Sequence, residues 1–203
     1  VRPMSSSVAT DMWPILLAST SPQRRAILEQ LGIPFDVVAP DYVEHDPPDA
    51  DAVELVRGHA REKARSVAAG AGERPVLGVD TAVSLGDRLL GKPADATEAE
   101  EMLEALAGRT HLVVSGLCLV TPGWEMVEHE TTSVTFRELA PRELAHHLAN
   151  GEWEGRAGAY AIQGRGASLV ERIEGDYLNV VGLPGSLLVR LLAERFPGAY
   201  GFG

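Results

Sequence analysis

The chain holds a single cysteine, Cys118, in 203 residues. That excludes an internal disulfide framework and any cysteine-built zinc cluster. Its place in the apolar run Leu117–Val120 makes it a small buried hydrophobe rather than a reactive thiol. Positive charge is scarce as well: 18 Lys and Arg stand against 29 Asp and Glu, for a formal net charge of −11. Such a chain has no general field for a nucleic acid polymer or an anionic membrane. A small polyanion can still bind wherever basic side chains and backbone amides converge. No stretch approaches the roughly 20 apolar residues of a membrane-spanning helix. The six histidines lack metal-ligand spacing, and His146 and His147, neighbours on one predicted helix, point different ways. Neither a Gly-x-Ser-x-Gly elbow nor a Walker lysine loop occurs, which removes serine acyl transfer and P-loop phosphoryl transfer.

What remains is the composition of a globular protein, 45% hydrophobic and 23% charged, long enough for one large domain or two small lobes. Residues 1–12 are Ser-rich without an apolar stretch, which predicts a disordered tail over 1–13, no signal peptide and a cytoplasmic location. One domain is predicted over 14–197, with a second short tail at 198–203.

Ile15–Ala18 reads as a buried strand. Ser21 is a natural N-cap for the helix that follows, Pro22 suits its first turn, and Gly32 its stop. Phe35–Ala39 reads as a second strand. Val53, Val56, Ala60, Ala64 and Val67 repeat at helical spacing and predict a helix over about Ala52–Ala69. Val76–Val79 predicts a third strand that ends at Asp80-Thr81, followed by a hairpin turning at Gly86-Asp87. Thr97-Glu98-Ala99-Glu100 has the pattern of a capping box. His111–Val120 and Met126–Arg137 flank Pro122-Gly123 as paired strands. A helix over Pro141–Ala149, a strand over Ser168–Ile173 and a helix over Pro184–Arg195 complete the chain. The pattern predicts an α/β fold, a mixed, twisted sheet flanked by helices, with ligands beyond the carboxyl ends of its strands.

Several residues there carry chemistry. In Ala18-Ser19-Thr20-Ser21-Pro22-Gln23-Arg24-Arg25 a strand passes through hydroxyl residues into a helix N-terminus, whose free amides favour anions. Arg24 and Arg25 add planar forks for phosphate oxygens. Asp80, just past a buried strand, can orient a water or bind a divalent cation. Lys92 sits in the stiff turn Gly91-Lys92-Pro93, and Lys63 lies beside the apolar stripe of its helix, directed toward a cleft. Each also fits a plainer reading, as a capped helix, a turn or a solvated charge.

Taken in order these segments, together with Gly108-Arg109-Thr110-His111, Ala157-Gly158-Ala159-Tyr160-Ala161-Ile162-Gln163-Gly164 and Asn179-Val180-Val181-Gly182-Leu183-Pro184, resemble the Maf family of nucleoside triphosphate pyrophosphatases. The resemblance spans Leu17 to about Leu192. It implies hydrolysis of a nucleoside triphosphate to the monophosphate and pyrophosphate with a divalent metal cation, Mg2+ or Mn2+, in a cleft between two lobes of an elongated fold. It implies Asp80 as the base that activates water, Ser19, Arg24, Lys63 and Lys92 on the triphosphate, and Glu44 with Asp80 near the metal. Homodimers are frequent in the family. Gln23, Thr81 and Gln163 fall where the family sorts its substrates. Thr81 and Gln163 resemble the branch acting on dTTP and UTP; Gln23 departs from it, since that branch carries Arg there. Two rivals stand beside this reading: an inosine or modified-nucleotide triphosphate pyrophosphatase of related fold, and a non-catalytic nucleotide-binding regulator of septum formation.

Overall fold

The computed structural model describes residues 13–47 and 50–203; most of the tail expected at 1–13 lies outside the described residues. Four apolar residues, all buried, form β1 (Ile15–Ala18). It pairs in parallel with β2 (Phe35–Val38) on one side and β3 (Val76–Leu85) on the other. A continuous apolar run is what a parallel strand covered on both faces requires. The rest of the sheet is antiparallel. β4 (Arg88–Leu90) folds back on β3 through Gly86, whose φ of 59° is left-handed. β5 (Thr110–Thr121), β6 (Trp124–Phe136) and β7 (Val170–Glu174) extend it in the order β2-β1-β3-β5-β6-β7. The sheet is mixed and flanked by helices, as the sequence predicts.

One boundary differs in a way that matters. β3 does not end at Asp80-Thr81 but continues to Leu85, because β5 keeps pairing with it as far as Ser84↔Leu112. What ends is the other neighbour. The last β1 pair is Ala18↔Gly78, and β4 begins at Val83↔Leu90. Between them the edge of β3 lies open across Val79–Ala82.

The helices are α1 (Pro22–Gln30), α2 (Ala52–Ala68), α3 (Ala96–Leu106), α4 (Pro141–Ala149), α5 (Tyr177–Val181) and α6 (Gly185–Arg195). The α3 cap is Asp95, not Thr97: its carboxylate accepts from Glu98 N at 2.9 Å, and Glu98 Oε2 accepts from Ala94 N at 2.7 Å. Asp95 holds the same three-residue spacing to Glu98 that the capping motif needs, with a stronger acceptor. β7 begins at Val170 rather than Ser168 because Gly164–Leu169 coil into a 3-10 turn.

Alternate residues of a strand face opposite sides. On one face of β3 and β5, Leu77, Val79, Leu117 and Leu119 join α1 and α6 in a first core, and Val83 and Val113 join α3 and α4 in a second. Between the two cores the register places Thr81 opposite Ser115, with a 2.8 Å bond between their hydroxyls. This polar seam separates the two cores. α5 plugs it: buried Asn179 donates to Val113 O and to Thr132 Oγ1, each at 3.0 Å.

α2 covers the opposite face and lies almost on the backbone. A Cβ added to Gly78 would overlap the Ala60 carbonyl oxygen, and one added to Gly116 the Val56 carbonyl oxygen. Gly116 faces Asp80 across the β3–β5 ladder. The glycines thus bring α2, and with it Lys63, down onto the strand that bears Asp80.

Residues 198–203, expected as a tail, fold back instead. Tyr200 is buried in the first core, Phe202 packs against it, and the Tyr200 hydroxyl donates to Trp13 O at 2.9 Å. The two aromatics supply the apolar surface that holds the segment down. No helix among the described residues is long and apolar enough to cross a membrane.

Candidate active site

The open edge of β3 forms the floor of a cavity of about 990 Å³. That is room for a nucleotide-sized ligand by the usual range of ~300–1,000 Å³. Ser19, Gln23, Arg24, Glu44, Lys63, Asp80, Thr81, Lys92 and Gln163 all line it, so every site position predicted from sequence meets the others here, from six separate stretches of chain. Arg25, the second of the two forks, does not: it lies on the exposed side of α1.

Lys63 is buried, and its Nζ lies 2.6 Å from Asp80 Oδ1 and 2.5 Å from Glu44 Oε1. An ammonium removed from water requires such partners. The two acids come from opposite directions, Asp80 from the sheet and Glu44 from the loop that precedes α2, and the lysine joins them. Burial pushes the Glu44 carboxyl up. The Lys63 hydrogen bond and charge, with Lys92 and His59 beyond, outweigh it and hold the carboxyl below its ordinary value. The same loop is fastened a second time where His59 Nε2 of α2 meets Asp46 Oδ1 at 3.2 Å.

Arg24 comes from the first turn of α1. Its Nε donates to Gly182 O at 3.0 Å, Nη1 to Ser19 Oγ at 3.1 Å, and Nη2 to Thr81 Oγ1 at 3.4 Å. Five N–H groups are available to a guanidinium, so two remain for a ligand. Burial pulls its pKa down from the ordinary arginine value, against the opposing pull of Asp80 and Glu44. Ser19 Oγ also accepts from Ser21 N at 3.2 Å, which shapes the loop into α1. The Thr81 hydroxyl is held within the seam by Ser115, Arg24 and Gly182, whereas the Gln163 side chain is on an exposed stretch of the cavity wall.

Two further cations, Arg88 and Arg156, line the cavity and carry no sequence signal that singles them out. Arg156 directly precedes the Ala157–Gly164 motif, and Arg88 follows the β3–β4 turn; a cation flanking a glycine turn was the available hint. Beside Arg156 the chain makes a tight 3-10 turn at Ala157–Ala159 with φ of 69° at Gly158 and 62° at Ala159. For a residue with a side chain that conformation costs about 1–2 kcal/mol.

As donors for a metal, Glu44 and Asp80 offer hard carboxylate oxygens gathered about one ammonium. No group of three or more His, Cys, Asp or Glu among the described residues could hold an ion. Two carboxylates are the number of protein donors that a cation of the Mg2+ type takes when water and phosphate oxygens complete its shell.

The family model described as Maf-like protein matches residues 14–195. A dTTP/UTP pyrophosphatase of Nitratidesulfovibrio vulgaris is 48% identical over 193 residues, covering 94% of this chain and 92% of its own. One from Symbiobacterium thermophilum is 45% identical over 90% of this chain and 94% of its own; one from Deinococcus radiodurans is 43% identical over 92% and 95%. Among solved structures, a HAM1 protein from Coxiella burnetii aligns with a TM-score of 0.52 at 16% identity, covering 90% of this chain and all of the other. At that identity the likeness concerns the fold alone.

Proposed function

The chain belongs to the Maf-like protein family, and we propose that it hydrolyses nucleoside triphosphates, dTTP and UTP foremost, to the monophosphate and pyrophosphate. The observation that carries this is the meeting of Asp80, Lys63 and Glu44 in a cavity that four further cations, Arg24, Arg88, Lys92 and Arg156, also line. The relatives named for dTTP and UTP support the choice of base, and Gln163 offers both a donor and an acceptor to a pyrimidine edge.

Attack of water at the α-phosphorus forms one phosphorus–oxygen bond and breaks the bond to the β-phosphate oxygen, releasing pyrophosphate. The protein has to position a water, take its proton and offset charge. Asp80 Oδ1 is held by Lys63, while Oδ2 has no hydrogen bond among the described residues and can accept that proton. Lys63 keeps the carboxylate oriented. The free N–H groups of Arg24 and the N-terminal end of α1 bind phosphate oxygens beside it. A divalent cation, Mg2+ or Mn2+, would be held by Glu44 and Asp80 and, when bound, offsets the charge of the phosphates.

The test is a panel of nucleotides with a magnesium salt, read as pyrophosphate release, with Asp80→Asn beside the wild type. Loss of the base should lower turnover roughly 10²–10⁴-fold and leave nucleotide affinity nearly unchanged. A wild type that binds nucleotides without releasing pyrophosphate would instead make the protein a nucleotide-binding regulator. Preference for deaminated purine nucleotides would overturn the choice of base.

A further inference from the structure

Five cationic side chains line the cavity, and two are already committed: Lys63 to a pair of carboxylates, Arg24 to three neutral acceptors. Arg88, Lys92 and Arg156 differ. None of them forms a salt bridge among the described residues, in a chain where acids outnumber cations. All three lie within two residues of Leu90 or Ala157, which pack in the second core. They are also built together, since Gly158 N donates to Gly91 O at 3.1 Å and ties the Arg156 turn to the turn of Lys92.

The Arg156 turn is held against its own strain. His147 Nε2 meets Ala159 O at 3.4 Å, the Tyr160 hydroxyl meets buried His111 Nε2 at 2.8 Å, and a side chain on Gly158 would crowd Val83. Left-handed residues persist where the surroundings over-determine them, and such turns gather at ligand clamps. Here the fixed turn presents Arg156 to the cavity. An unpaired guanidinium kept there has a planar fork free for an anion with paired oxygens.

We propose that Arg156, with Arg88 beside Lys92, forms the subsite for the β- and γ-phosphoryl groups, the part of the substrate that departs as pyrophosphate. The assignment rests on the triphosphatase reading. In-line displacement requires the leaving oxygen to lie on the far side of the α-phosphorus from the attacking water. Asp80, which takes the proton of that water, stands beside two cations already bound to protein groups, Lys63 and Arg24, so the charge of the leaving group falls to the unpaired ones. They meet the negative charge that grows on the departing oxygens.

Binding of pyrophosphate and of dTMP, each with a magnesium salt, is measured by titration calorimetry on the wild type and on Arg156→Met, Arg88→Met, Arg156→Lys and Arg25→Met. Arg156→Met should weaken pyrophosphate at least tenfold and raise KM for dTTP, while dTMP binding stays within twofold. Arg88→Met should do the same to a smaller degree, Arg156→Lys should recover part of the loss, and Arg25→Met, off the cavity wall, should change nothing. Pyrophosphate affinity unchanged in Arg156→Met would overturn the assignment, and so would equal losses for pyrophosphate and dTMP. Thermal melts show whether each variant is folded. A wild type that hydrolyses dTTP with Arg156→Met at full pyrophosphate affinity sinks the subsite alone. One that hydrolyses nothing, yet loses pyrophosphate with Arg156→Met, sinks the hydrolase reading and keeps the subsite.

Discussion

Gly78→Ala adds one methyl group at the point where α2 rests on the sheet. The new Cβ would overlap the Ala60 carbonyl oxygen and lie 2.8 Å from Ala64 N and 2.9 Å from Ala64 Cβ. All three atoms belong to α2 and two are backbone, so no side-chain rotation relieves the clash. Ordinary carbon contacts need about 3.5–4.0 Å, so the helix must retreat by roughly 1 Å. Overpacking of this kind costs about 1–3 kcal/mol, and backbone contact puts Gly78 at the upper end. For a chain of this size that lowers the midpoint by about 6–12 °C. Lys63 rides on the same helix, 2.6 Å from Asp80. A displacement of ~1 Å at a reacting group can cost about 10²-fold in rate, so turnover should fall far beyond what the melting curve implies. Gly58 supplies the internal control. It lies within α2, and a Cβ there meets nothing within 4 Å, so Gly58→Ala should stabilise the protein by about 0.5–1 kcal/mol and leave turnover alone. Both variants are read by thermal melts and pyrophosphate release. If Gly78→Ala melts within a degree of wild type and turns over normally, α2 does not rest on the sheet backbone as described, and the account of how Lys63 reaches Asp80 fails with it.

His111 gives a pH dependence of defined sign. Burial pulls its pKa from 6.5 down to about 4, so the unfolded chain binds the proton more tightly than the folded one. Stability should hold above pH ~6.5 and fall by about 3 kcal/mol as the pH drops toward 4. Denaturant melts of His111→Gln should lack that portion of the slope; an unchanged slope would rule His111 out as its source. Cys118 is fully buried and its thiol is pushed up to about 12, so iodoacetamide should modify the native protein no faster than it unfolds. Rapid labelling under native conditions would contradict that burial.

The features legible in the sequence are those set by local chemistry. Ser21 and Pro22 open α1 because the cap and the fixed proline φ need only their immediate neighbours, and Asn150 with Gly151 closes α4 for the same reason. Lys63 was readable as turned toward a cleft because it sits one position before Ala64 on the stripe that α2 buries. What stayed hidden depends on partners distant in sequence. Asp80-Thr81 reads as a strand end because a carboxylate interrupts the apolar run, yet β3 continues, since β5 supplies Gly116 and Ser115 as partners more than thirty residues later. The five residues of α5 are too few to show a helical period, so its role as a plug in the seam is invisible until Thr132 and Val113 come alongside Asn179. Arg88 and Arg156 likewise gain meaning only from the open edge between β1 and β4, a gap that no single stretch of chain encodes. The cavity arises because one strand is longer than two of its neighbours together can cover, and every side chain assigned to chemistry lies around that unpaired stretch. Pairing of β1 beyond Ala18 would close that edge and draw Ser19, with the loop that carries Gln23 and Arg24, into the sheet.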